Sequence, residues 1–299
     1  MTAIDLPPKS AEEIPPKSPA AQLPDTGHEW DGIRELDNPL PRWWLWTWYA
    51  CILWAIGYWV VMPAWPLVSG YTAGVLGYSQ RAVVEQRIAR NIEAQSVYLE
   101  QISAKSLTEI SADPELLSFS MAGGRSAFAV NCSQCHGSGA QGAVGYPNLN
   151  DDAWLWGGTL DQISYTIRHG IRNGDDDARV SEMPAFGRDE LLEPAQIRDV
   201  VEYVVSLSGR PARAAAVERG VAIFAEQCAA CHGETGKGNQ EFGAPNLTDA
   251  IWLYGGDRAA LQETIHNSRR GVMPGWKDRL TPETIKQLTV FVHSLGGGQ

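Results

Sequence analysis

Cys132-Ser133-Gln134-Cys135-His136 and Cys228-Ala229-Ala230-Cys231-His232 are two copies of one pattern, C-x-x-C-H. Cysteines three apart share a helix face, so both sulfurs can form thioethers with two vinyl groups along one side of a porphyrin. The next residue then presents its imidazole to the iron. A zinc site or a disulfide is the competing reading, but zinc ribbons set their CxxC pairs about 15–20 residues apart. These two pairs are much farther apart, and each is followed by the histidine that haem needs and zinc does not. The motifs predict two covalently bound haems c, held by Cys132 and Cys135 and by Cys228 and Cys231, with His136 and His232 facing the irons.

The motifs sit inside an internal repeat. "GRSAFAVNCSQCHGSGAQGAVGYPNLNDDAWLWGG" aligns with "GVAIFAEQCAACHGETGKGNQEFGAPNLTDAIWLYGG", pairing Gly124 with Gly220, Phe128 with Phe224, Pro147 with Pro245 and Trp154 with Trp252. Each copy runs on to a Met-Pro and a closing amphipathic helix, "PAQIRDVVEYVVSLSG" or "PETIKQLTVFVHSLGG", started by proline and stopped by glycine. The glycine eight positions before each first cysteine lets the opening helix approach another backbone closely. The expected neighbour is the closing helix of the same copy, through Tyr203 in the first and Phe291 in the second. Gly209 and Pro211 interrupt the pattern, which places the boundary between copies near Ser208 to Arg213.

The remainder of the 299 residues reads in order. Residues 1–27, rich in Pro, Ala, Ser and charge, are expected to be disordered, and no basic start followed by a short apolar core marks a signal peptide. From Trp43 to Gln80 there is no Asp, Glu, Lys or Arg, and residues 43–68 exceed the about 20 that a spanning helix needs. Tryptophans cluster at both ends, as at a membrane interface, and Pro63 and Pro66 mark where the helix frays or ends. Cys51, inside the span, reads as a small apolar residue. Because covalent haem attachment occurs outside the bacterial cytoplasm, the N-terminus is expected to be cytoplasmic and the haem segments periplasmic, on a single-pass, uncleaved anchor in the inner membrane. Residues 69–112 read as a helical stalk or linker, solvated or packed on a partner. The formal charge of −11 argues against nucleic acid as a partner.

Each repeat resembles a class I cytochrome c over its whole length, with the motifs in the expected order. The resemblance implies an all-α protein: segment 1–42, a transmembrane helix over 43–68, a stalk over 69–112, then two tandem class I cytochrome c domains, 113–208 and 209–299. It also implies Met183 and Met273, from "SEMPAFG" and "RRGVMPGW", as the second axial ligands, and the carbonyls of Pro147 and Pro245 as acceptors for the imidazoles of His136 and His232. A thioether is a soft ligand that raises the potential, and the proline after it favours an extended loop. Ligation within each copy is the default, and exchange of the two Met loops between copies is the alternative. His169, where the first copy is longer than the second, is either a replacement for Met183 or a structural histidine. His266 and His293 read as helix residues without a role at the iron, and the insertion carrying Asp175, Asp176 and Asp177 has no assigned place.

"HEWDGIRELDNPLPRWWLWTWYA" followed by "WAIGYWVVMPAWP" and a diheme tail resembles the CcoP (FixP) subunit family of bacterial cbb3-type cytochrome c oxidases. The resemblance implies an electron-transfer subunit with no catalytic residues of its own. It would take electrons from a donor cytochrome c or the quinol:cytochrome c oxidoreductase and pass them to a monohaem cytochrome c subunit. That subunit feeds the haem–copper catalytic subunit, which reduces oxygen and pumps protons; membrane lipid is the other contact. A tethered shuttle for another periplasmic enzyme and a peroxidase-type diheme enzyme are the alternatives, the latter requiring that Met183 or Met273 be unbound. The first copy, from Asp113 to Ser208, carries 14 acidic and 6 basic residues against 9 and 10 from Gly209 onward. That asymmetry makes it the expected docking site for a basic donor.

Overall fold

The computed structural model describes residues 24–296, so most of the segment expected to be disordered lies outside the described residues. The chain divides after Ala89 into two units. In the first, β1 (Asp25–Trp30) and β2 (Ile33–Leu36) form an antiparallel hairpin. Asp31 and Gly32 turn it with φ of 46° and 84°, the doubly positive geometry of a tight hairpin. Helix α1, Arg42–Val61, is 20 residues long, uncharged after Arg42 and without a buried side chain. At about 1.5 Å per residue it matches the about 30 Å of a bilayer's hydrocarbon core. It ends at Met62, before Pro63, as the prolines suggested. The amides of Val75 and Leu76 then return to bond the carbonyls of Val60 and Val61, which no later turn of helix satisfies. A second hairpin, β3 (Pro66–Leu67) with β4 (Gly70–Tyr71), lies between. These two hairpins are departures from the all-α expectation; the chain is otherwise mostly helical.

Helix α2 runs from Gln80 to Ala104. In the second unit its end is buried at Ile102, whereas Ile92 and Val97 stay exposed, so the stalk is solvated for much of its length and packed at its tip. Lys286 holds that tip by donating to the carbonyls of Ile102, Ser103 and Lys105 at 2.6–2.9 Å, a cation on a helix C-terminus. Next come α3 (Leu107–Ala112), opened by a Ser106–Glu109 capping box, and α4 (Pro114–Asn131), capped by Asp113. The first copy continues with α5 (Ser133–His136), α6 (Leu160–His169) and α7 (Pro194–Leu207). The second has α8 (Ala214–Gln227), α9 (Ala229–His232), α10 (Arg258–Asn267) and α11 (Pro282–His293).

The opening helices do not meet the closing helices of their own copies. A Cβ at Gly124 in α4 would collide with the carbonyl oxygen of Gln287 in α11, and one at Gly220 in α8 with that of Asp199 in α7. Phe128 packs on Phe291 with centroids 5.5 Å apart, and Tyr203 on Phe224 at 5.0 Å. The glycines work as expected but with exchanged partners. Only residues 208–213 separate α7 from α8, and so short a connection makes consecutive helices packing neighbours. With α7 taken by α8, α11 is left to cover α4.

A buried carboxylate pins this arrangement. Glu202 of α7, fully buried, accepts from Arg258 of α10 at 2.8 and 3.0 Å and from the amide and guanidinium of Arg213 just before α8. The Arg258 bonds, with help from Arg213, hold its acid strength at a pKa of about 2. A carboxyl depressed from 4.5 to about 2 stabilises the fold fully above about pH 4.5 and loses that contribution as pH falls toward 2. Glu202→Gln should therefore lower stability at neutral pH by about 2 kcal/mol, a buried charge-assisted bond being lost. Unfolding curves of variant and parent, measured across pH, should converge in acid.

Candidate functional site

Cys132 ends α4, and the single turn α5 then carries Cys135 and His136; Cys228, Cys231 and His232 repeat this at the end of α8 and in α9. His136 Nδ1 lies 3.0 Å from the carbonyl oxygen of Pro147, and His232 Nδ1 lies 3.1 Å from that of Pro245. Such a bond fixes the ring and leaves Nε2 as the free donor atom. Burial lowers the pKa of both imidazoles, with the proline carbonyls partly opposing, so both favour the neutral form that a metal requires. Burial also pushes the free thiols of Cys132 and Cys228 up to about 11, which disfavours thiolate chemistry at either.

Beside the first motif is a cavity of about 420 Å³ walled by Phe128, Leu149, Ile163, Leu288 and Val292 and reached by Cys132, Cys135 and His136. Met273, from the second copy, lines the same cavity. At the other site Met183, from the first copy, packs in one apolar cluster with Cys228, Phe224 and Trp252. Each Met-Pro loop has thus followed its closing helix to the other copy's motif, the placement that an exchange of Met loops between copies requires. The Met273 loop is held by Ile171, which gives and takes a backbone bond with Met273 at 2.9 and 3.0 Å, and by Asn173, which donates to the Met273 carbonyl at 2.8 Å. These partners come from the first copy's extra loop, which now has its place. The Met183 carbonyl accepts from Ser268.

His169 does not line the haem cavity; it is buried at the end of α6 against Tyr165, the structural alternative of the two open for it. Of the acidic triplet, Asp175 turns inward to Lys277 at 2.8 Å, whereas Asp176 and Asp177 stay exposed. The two sites also share a wall. Gly145 of the first copy donates to the Leu253 carbonyl of the second at 2.8 Å, and Trp156 lies against Gly243.

Three family models match consecutive parts of the chain: the N-terminal domain of cytochrome oxidase-cbb3, FixP, over residues 23–69; cytochrome c over 121–208; and cytochrome c oxidase, cbb3-type, subunit III over 215–292. The cbb3-type cytochrome c oxidase subunit FixP of Azorhizobium caulinodans is 58% identical over 92% of this chain and 93% of its own length. The chain belongs to the CcoP/FixP family of cbb3-type cytochrome c oxidase subunits. Subunit CcoP of Cereibacter sphaeroides is 55% identical over 95% of this chain and 99% of its own, and FixP of Bradyrhizobium diazoefficiens 55% over 92% and 95%. As a family member the chain is an electron-transfer subunit that carries two covalently bound haems c.

The residues present fit that group. The cavity is apolar where a porphyrin ring lies against protein, and Arg172 and Arg270 line it with the positive charge that suits acidic propionates. Trp154, also in its wall, buries an indole Nε1–H with no partner of its own, a cost that an acidic acceptor on the cofactor would remove. Trp154 was legible as a repeat marker, but only its orphaned N–H reveals a role. Trp154→Phe should keep both haems attached yet shift the midpoint potential of one of them, read by redox titration against the parent.

Proposed function

We propose that the chain relays electrons one at a time from a donor cytochrome c or the quinol:cytochrome c oxidoreductase to the monohaem subunit of the oxidase, and through it to the haem–copper catalytic subunit. The observation that carries this reading is the exchange of Met loops. His136 with Met273, and His232 with Met183, would occupy both faces of each iron, and the haem supplies one-electron iron chemistry when bound. Neither site then offers a position to substrate, which favours a relay over a peroxidase-type enzyme. The shared wall keeps the two sites in one body, and the tight α4–α11 and α7–α8 contacts limit how far the surroundings of either iron can rearrange.

In this reading the chain holds two class I cytochrome c folds built from segments 113–208 and 209–299, each fold taking its closing helix and Met loop from the other segment, behind the linker 69–112. Helix α1 crosses the inner membrane once, with the N-terminus cytoplasmic and both haem segments periplasmic. The acidic first copy steers a basic donor, so oxidase turnover with such a donor should slow as salt rises.

The ligand pairing is tested with Met273→Leu in the full chain. Loss of the thioether should lower one midpoint potential by on the order of 0.1 V, within the about 0.8 V that axial ligands command. The drop should persist when Cys228 and Cys231 are replaced by alanine, leaving only the haem at Cys132 and Cys135. A potential unmoved in that single-haem background would return Met273 to its own copy. Membership in the complex is checked separately, by co-purification of copper, b-type haem and oxygen uptake with a C-terminally tagged chain.

A further inference from the structure

The loop over residues 170–179, present in the first copy only, folds back over the end of α6. His169, the last residue of α6, is 7% exposed, and its Nδ1 is buried without a hydrogen bond. That atom faces two carboxylates, Asp175 Oδ2 at 3.5 Å and Asp177 Oδ2 at 3.7 Å. All three donor atoms lie within 4.8 Å of one another. Lys277 closes the group, its Nζ 2.8 Å from Asp175 Oδ2 and 4.0 Å from Asp177 Oδ2.

We propose that His169, Asp175 and Asp177 form a binding site for a divalent transition cation of the zinc class, with Lys277 as its built-in competitor. The separations carry the argument. A protonated imidazole paired with one carboxylate approaches to about 2.7–2.9 Å. Here Nδ1 points between two carboxylates and bonds to neither. Zinc bound tetrahedrally at about 2.0–2.1 Å sets its donor atoms about 3.3–3.5 Å apart, close to the 3.5 and 3.7 Å from Nδ1 to the two carboxylates. One imidazole with two carboxylates suits zinc better than calcium or magnesium, which take oxygen donors.

Charge and access agree with this. Two carboxylates and a neutral imidazole balance one divalent ion, and the fourth position falls to water. Asp177 is largely exposed, which leaves an entry path, and the half-buried Lys277 stem can swing its ammonium out to solvent. The Tyr165 ring, tilted against the imidazole with centroids 4.5 Å apart and donating its hydroxyl to the Asp177 carbonyl at 2.8 Å, limits movement of the imidazole. Since the same loop pairs Ile171 with Met273, a bound cation would stiffen the strand that holds the thioether in place.

The test is zinc chloride binding to the purified full chain with both haems in detergent, stripped beforehand with chelator and measured by equilibrium dialysis with elemental analysis. The parent should bind one equivalent that Asp177→Asn weakens at least about tenfold, the lower end of what even outer-shell changes at metal sites cost. Asp177 is exposed, so this variant should keep its haem spectrum and melting temperature. Lys277→Met should tighten the same equivalent by about 2- to 5-fold, the strength of one solvent-accessible ion pair. If parent and Asp177→Asn hold the same zinc, or Lys277→Met weakens binding, the cluster is an ion-pair network and the proposal fails.

Discussion

Backbone-to-backbone contact at two glycines is the constraint from which the rest follows. With no Cβ at Gly124 or Gly220, α4 and α8 lie directly on the carbonyls of Gln287 and Asp199, and the aromatic pairs Phe128–Phe291 and Tyr203–Phe224 close the seams. Interiors packed this closely transmit displacement rather than absorb it. Each helix seam forms one wall of a haem site, so the helix contact and the Met loop behind it cannot be set independently. Glu202, fastened to Arg213 and Arg258, adds an electrostatic lock to the α7–α8 seam, and Lys286 ties the stalk tip to α11.

Much of this was legible in the residues. The cysteine and histidine spacing marks the attachment sites because covalent chemistry demands fixed positions, and the proline carbonyls lie where the resemblance to class I cytochromes c puts them, 3.0 and 3.1 Å from the imidazoles. The long apolar helix was equally plain, since a long run without charge has few other solutions. Its C-terminal end at Met62 follows from Pro63, whose ring restricts the residue before it.

What stayed hidden was which copy supplies each closing helix. Internal similarity is the same whether α11 covers α4 or α8, because both opening helices offer a glycine and a phenylalanine to both closing helices. Connection length decides the matter: a linker as short as 208–213 favours the α7–α8 pairing. The two hairpins were missed for a different reason. Asp31-Gly32 is a strong turn signal, but the strands beside it are short, polar and exposed, and carry little periodicity. The copy-one loop found its place only in three dimensions, where it is the partner of a methionine about a hundred residues away.

The exchange also bears on how the protein is made. The parts of the second site, from Met183 to Leu261 and including α7 and α8, lie close together along the chain. The first site needs Phe128 and His136 but also Met273, Leu288 and Val292, so its last pieces leave the ribosome at the very end. Contacts of short sequence separation form sooner than long ones. The motif synthesised first is thus enclosed last, and Cys132 and Cys135 wait in an unfinished pocket, open for haem attachment, until the final helix arrives.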